Sequence, residues 1–278
     1  MSQRFCLINA FTDTPFRGNP AGVVVLDSQQ PAPTELAMQC LAAEIGAPET
    51  AFLSRDRGGW RIRWFTPTVE VRLCGHATLS AAHVLWQAGL AKDDRLEFQS
   101  ASGRLSAWRR DGEIVLDFPA LRGQPRPIPA ELQSAFGGEI VEASFVARDG
   151  GGEPIWVLEL PHETAVRQLV PDLNSIRKEH DPGVVITARA SETPDCDIVS
   201  RYFVPCAGID EDPVTGVAHC CLAPYWAQKL AKNKLRGFQA SRRGGYVGMR
   251  LEGDRVELSG RAVTIVQGEL GIPLDFNR

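Results

Sequence analysis

"LAKDDRLEFQSAS" (Leu90–Ser102) returns as "LAKNKLRGFQAS" (Leu230–Ser241) in a chain of 278 residues, and the step from Leu90 to Leu230 equals the step from Phe98 to Phe238. Two weaker echoes keep the same order at nearly the same interval. "FTP" (Phe65–Pro67) recurs as "FVP" (Phe203–Pro205), and "GNPAGVVVL" (Gly18–Leu26) as "GEPIWVLEL" (Gly152–Leu160). Three ordered matches near half the chain length predict two homologous halves of about 140 residues. The expected division is residues 1–118 with a returning C-terminal strand, 266–278, against residues 119–265. The Pro-rich stretch Ala120–Leu132 is the expected linker.

Each half shows the same order of patterns. Arg4–Phe11, Ala21–Leu26, Thr50–Leu53 and Trp60–Phe65 are apolar and rich in β-formers, hence strands. Pro33–Gly46 has helical spacing with a glycine stop. "GHATLSAAHVLWQAGL" (Gly75–Leu90) is small-residue rich and apolar nearly all round, the pattern of a helix buried on every side. Antiparallel strands with tight turns such as Asp111-Gly112 follow. The expected fold is α+β: two pseudo-symmetric halves, each an open, mostly antiparallel β-barrel around a central α-helix.

The interval between "FTP" and "FVP" lays Cys74-Gly75-His76 on Asp212-Pro213-Val214, inside "EDPVTGVAHCCLAPYW" (Glu211–Trp226). A pair of acids before a helix is ordinarily a cap. Here both stretches open a central helix, and two such N-termini facing one cleft would bind a carboxylate through backbone N–H groups. Glu49 in "APETAF" is the expected base, with a pKa raised by apolar Ala51 and Phe52. Taken singly, the residues have bland readings: Glu49 a solvated turn residue, Cys74 a small buried apolar group, His83 and His219 satisfied core histidines.

Composition narrows the class. The chain is 44% hydrophobic and 23% charged, with net charge −4 and a pI near 5.8, which is not the footprint of a nucleic-acid binder. No apolar run reaches the roughly 20 residues of a membrane span, and the N-terminal residues carry no secretory signal pattern. Seven cysteines without a C-x-x-C spacing read as reduced cytoplasmic thiols with no structural metal. Gly151-Gly152 lacks the context of a nucleotide-binding loop.

"GNPAGVVVL", "FTPTVEVRLCGHATLSAAHVL", "DEDPVTGVAHCCLAPYW" and "QASRRGGYVGMRL" together resemble the PhzF-like phenazine-biosynthesis isomerases, relatives in fold of diaminopimelate epimerase and proline racemase. The resemblance covers nearly the whole chain. It implies proton transfer without a cofactor on a small anionic substrate, a dihydro-hydroxyanthranilate in the phenazine enzyme, and a homodimer. It assigns catalysis to Glu49, His76 and Asp212, and substrate contact to Gly75, Thr215, Gly216, Val217, Gly244 and Gly245. Val217 stands where the family has serine, which loses a polar contact. Two further readings stay open: an epimerase or racemase of a small acid, using Cys74 or Glu49 with Asp212, and a small-molecule binding protein without turnover.

Overall fold

The computed structural model describes residues 3–29, 31–56, 59–137, 139–147, 154–177 and 182–274. Gly151 and Gly152 lie outside them. The chain divides into two units, residues 1–117 with 259–278, and residues 118–258. The strand that returns to the first unit therefore begins before residue 266, because the whole of that strand pairs with the first one.

In the first unit the elements run β1 (Arg4–Ala10), β2 (Asn19–Val25), α1 (Glu35–Ile45), β3 (Glu49–Asp56), β4 (Gly59–Phe65), β5 (Glu70–Val71), α2 (Gly75–Gln87), β6 (Arg95–Ser100), β7 (Gly103–Arg110) and β8 (Glu113–Pro119). The pairs β1–β2, β3–β4, β4–β5, β6–β7 and β7–β8 are antiparallel, while β2–β3 and β4–β6 are parallel.

The second unit repeats this wiring with β9 (Gln124–Pro125), α3 (Ala130–Phe136), β10 (Glu142–Val146), β11 (Ile155–Glu159), α4 (Glu163–Gln168), β12 (Gly183–Arg189), β13 (Ile198–Val204), β14 (Ile209–Asp212), α5 (Gly216–Leu230), β15 (Lys234–Gln239), β16 (Gly245–Glu252) and β17 (Arg255–Gly260). Here β10–β11, β12–β13, β13–β14 and β15–β16 are antiparallel, with β11–β12 and β13–β15 parallel. Finally β18 (Ala262–Glu269) returns to lie antiparallel on β1, as β9 lies on β10. Both units are thus α+β, mostly antiparallel, and built on one plan.

The central helices are buried for the reason their composition predicts. In α2 every residue from His76 to Ala82 is buried, as are Val84 and Leu85, and the helix packs on β1, β2, β3 and β18. Its two buried hydroxyls are satisfied internally: Thr78 donates to the Cys74 carbonyl at 2.6 Å and Ser80 to the His76 carbonyl at 2.9 Å. Pro224 sits inside α5 and cannot donate to the carbonyl of Cys220. That carbonyl instead accepts the N–H of Leu121 at 3.0 Å. On the other face of the first unit, α1 is capped by the Thr34 hydroxyl and stopped by Gly46 in the left-handed region at φ 64°. Its apolar side covers Val24, Phe52 and Phe65.

The register of the repeat differs from the sequence reading at one place that matters. The helix starts at Gly75 and Gly216 are further apart along the chain than the strand ends at Phe65 and Val204. A short helical turn at Pro205–Ala207 and then β14 fill the longer connection. Asp212 therefore ends a strand instead of opening the helix at Pro213. Counted from the two helix starts, the counterpart of Cys74 is Thr215, and that of His76 is Val217.

Among the described residues no helix is long and apolar enough to cross a membrane.

Candidate active site

Glu49 opens β3, paired with Ala21 in the parallel β2–β3 ladder. Asn19 lies two positions before Ala21, so alternation sends its side chain to the same face of the sheet as that of Glu49. The first turn of α2 packs on this face. His76, the second residue of the helix, meets both: its Nε2 lies 3.1 Å from Glu49 Oε2, and its Nδ1 3.3 Å from Asn19 Nδ2. Cys74, the N-cap, brings Sγ to 3.5 Å from Nδ1. The side chains of His76 and Glu49 are 7% and 15% exposed, and Asn19 is fully buried.

The approach to Asn19 is fixed by its neighbour. Gly18 has φ +66°, and a Cβ there would sit 2.1 Å from the Ala10 carbonyl oxygen. Only glycine fits that bend.

Electrostatics make Glu49 and His76 an ion pair. Burial by itself would raise the Glu49 pKa, but the charge and hydrogen bond of His76, helped by Cys74, bring it below the ordinary carboxylate value. The raised pKa expected from its apolar neighbours is therefore corrected: His76, distant in sequence, outweighs Ala51 and Phe52. For His76, burial opposes the charge, yet the Cys74 sulfur and the Glu49 carboxylate hold its pKa well above the ordinary one. Burial and the adjacent carboxylate push the Cys74 thiol above its ordinary value, against the pull of His76.

The donor atoms of Glu49, Cys74 and His76 lie within 4.8 Å of one another, close enough to hold an ion. The 3.1 Å contact between His76 and Glu49 is a buried ion pair as it stands.

The second unit builds a different group around α5. Its N-cap Thr215 makes no side-chain cap bond; its hydroxyl donates instead to Asp212 Oδ2. Gln239, fully buried at the end of β15, accepts from the Thr215 N–H at 2.9 Å. Its Nε2 donates to the Asp212 carbonyl at 2.7 Å and to Thr215 Oγ1 at 3.1 Å. Glu211, the other acid of the pair, is held by Arg201 at 2.7 and 3.0 Å. Ser241 donates to the Pro213 carbonyl at 2.7 Å and accepts the Gly244 N–H at 3.1 Å. The Gly244 amide, assigned to substrate contact by resemblance, donates to Ser241 here. Gly244 itself has φ +69° and Gly245 begins β16. Gly75 and Gly216 each begin their helix, and Val217 follows Gly216 in the first turn of α5.

The bland readings divide. His219 is fully buried, with Nδ1 2.8 Å from the Thr215 carbonyl, and burial lowers its pKa to about 4. His83 is only half-buried, with Nε2 3.1 Å from the Thr264 hydroxyl. Asn19 and Gln239 were not singled out from the sequence, although both stand in stretches that carry the repeat.

The duplication is chemically one-sided. In the parallel ladders Ala21 pairs with Glu49 and Ile155 with Gly183. One interval along the chain carries Ala21 onto Ile155 and Glu49 onto Gly183, so Gly183 is the counterpart of Glu49. The second unit thus has glycine, threonine and valine where the first has Glu49, Cys74 and His76. A Cβ at Gly183 would meet the Tyr202 hydroxyl at 2.1 Å, which leaves no room for a carboxylate there.

The doubled, mostly antiparallel α+β plan is the fold of the PhzF-like isomerases. The family model of phenazine biosynthesis-like proteins matches residues 8–268, and the chain belongs to that family. It is 45% identical over 270 residues to an uncharacterized isomerase of Pseudomonas aeruginosa, covering 97% of this chain and 99% of the relative. A crystal structure of a PhzF-family phenazine biosynthesis protein from Enterococcus faecalis superposes with a TM-score of 0.89 at 36% identity, over 98% of this chain and 100% of that one. A hydroxyproline epimerase from Agrobacterium vitis shares the fold at 14% identity, with a TM-score of 0.58, over 99% and 95% of the two chains. The protein is an enzyme of the isomerase class.

Proposed function

We propose that the enzyme moves a proton between two carbons of a small carboxylate-bearing substrate, with Glu49 as the base. The observation that carries this reading is the buried Glu49–His76 pair, 3.1 Å apart at the start of α2. Glu49 is ionised at neutral pH and so ready to accept a proton. Its carboxylate takes the proton from carbon, the electron pair delocalises into the substrate, and the same carboxyl returns the proton at a second carbon. Atoms and charge balance without a further reactant.

A carboxylate held below its ordinary pKa is a weak base. The carbon acid must therefore be activated by an adjacent unsaturated system, and the new negative charge must be stabilised. Imidazolium His76 and the positive end of α2 supply that stabilisation. Asp212, with the Thr215 hydroxyl directed onto it, is assigned to substrate contact, together with Gly75, Gly216, Val217 and Gly245. Valine at 217 offers no hydrogen bond, which turns the substrate away from the dihydro-hydroxyanthranilate of the phenazine enzyme.

The one-sided duplication favours this reading over a two-base epimerase, because Thr215 and Val217 do not titrate where Cys74 and His76 stand. The test is deuterium uptake from D2O into a panel of small unsaturated carboxylates. Wild type should label the substrate that turns over, and Glu49→Gln should lose about 10²–10⁴-fold of that rate. An unchanged rate in Glu49→Gln overturns the assignment.

A further inference from the structure

His76 is gripped at both ring nitrogens. Glu49 faces Nε2 from β3 at 3.1 Å, and Asn19 faces Nδ1 from β2 at 3.3 Å, with the Cys74 thiol beside Nδ1 at 3.5 Å. Among the described residues these three meet the ring nitrogens from the elements packed on it. Asn19 differs from Glu49 in kind and from the weakly bonding thiol in strength. A carboxamide both donates and accepts well, so it can serve an imidazole ring in either charge state.

We propose that Asn19 is the positioning residue of the acid–base cluster, a two-state partner that keeps Nε2 of His76 aimed at Glu49 whether or not Nδ1 carries a proton. When Nδ1 is bare, an amide N–H of Asn19 donates to it, and the ring proton stays on Nε2 toward Glu49. When the ring is the imidazolium, Nδ1 bears a proton and the amide turns over to present its oxygen. The bond made by one ring nitrogen sets the proton on the other. This rests on the reading of Glu49 and His76 as the acid–base pair, but its test does not depend on turnover.

The local sequence explains why an amide stands here. Gly18, which alone fits its bend, and Pro20 fix the backbone on both sides of Asn19. The residue is fully buried, so its side chain has no solvent alternative. Aspartate could only accept when ionised, and leucine could do neither.

The experiment is a pH titration of the full chain with ¹⁵N-labelled histidine, read by long-range ¹H–¹⁵N spectra of the imidazole rings. The His76 signals are assigned by their loss in His76→Gln. In wild type the neutral ring should be a single Nε2–H tautomer. Asn19→Asp should raise the His76 midpoint by about one pH unit or more, because a carboxylate now faces Nδ1. Asn19→Leu should lower the midpoint and mix the two tautomers. If Asn19→Leu does not fold, Asn19→Asp, nearly the same shape, decides alone. Folded variants with the midpoint and ¹⁵N shifts of wild type would overturn the proposal. Loss of the deuterium-uptake reading would leave the spectra, and this inference, standing on their own.

Discussion

Replacing Glu49 and His76 by glutamine, singly and together, measures the pair without knowledge of the substrate. The contact is 3.1 Å long and the two side chains are 15% and 7% exposed. At an effective dielectric constant of about 20 the attraction at that distance is about 5 kcal/mol, which is a ceiling before desolvation is subtracted. Breaking one side of a buried pair typically costs about 3–5 kcal/mol, whereas exposed pairs are worth about 0–1 kcal/mol. The double-mutant coupling should therefore be about 3 kcal/mol. The pH dependence follows from the two directions. Glu49 is lowered from 4.5, so its share is present above that value and is lost as pH falls through the lower folded-state pKa. His76 is raised well above 6.5, so its share is full below 6.5 and is lost as pH rises through the higher folded-state pKa. Coupling should be greatest between pH 4.5 and 6.5 and should fade on both sides. Urea unfolding of the four variants at three pH values gives the cycle. A coupling below about 0.5 kcal/mol within that window, the range of an exposed pair, would refute the ion pair.

Two further outcomes follow from the second unit. Gln239→Leu removes three hydrogen bonds to Asp212 and Thr215, and should destabilise the fold by about 2–4 kcal/mol, given about 1 kcal/mol per bond plus unsatisfied buried groups; a chemical-denaturation midpoint equal to wild type would contradict it. His219, neutral in the folded state down to about pH 4, should cost stability as pH falls from 6.5 towards that value, by roughly 3 kcal/mol in total, so His219→Gln should show a flatter acid limb in pH-dependent melting.

The fold was legible because the duplication survives in residues that build it. Leu-Ala-Lys and Phe-Gln lie where the central helix ends and the next strand pairs. The start of α5 was not legible from the offset, because the second unit inserts a short helical turn between β13 and β14, the counterpart of β5. Pairing Cys74 with Asp212 followed from that slip. Glu49 and His76 were placed together by resemblance, but the direction of the Glu49 pKa was not. A reading from Ala51 and Phe52 sees only local apolar neighbours, while the deciding charge arrives from α2, which begins only at Gly75, beyond two further strands. Asn19 and Gln239 escaped notice for the same reason. An amide in a strand has no characteristic spacing, and its role comes from what the fold lays against it. The echo of "GNP" in "GEP" and the repeated "FQ" marked their positions without indicating their chemistry.

The claim at the centre is that one carboxylate, Glu49, carries a substrate proton from carbon to carbon. The most direct measurement follows deuterium in D2O through a single turnover of a small unsaturated carboxylate, by mass spectrometry and NMR of the product, in wild type, Glu49→Gln and Asp212→Asn. The account predicts deuterium at the carbon that receives the proton, an intact configuration elsewhere, loss of labelling in Glu49→Gln, and weakened binding with labelling retained in Asp212→Asn. Labelling that persists in Glu49→Gln and vanishes in Asp212→Asn would contradict it and move the base to the second unit.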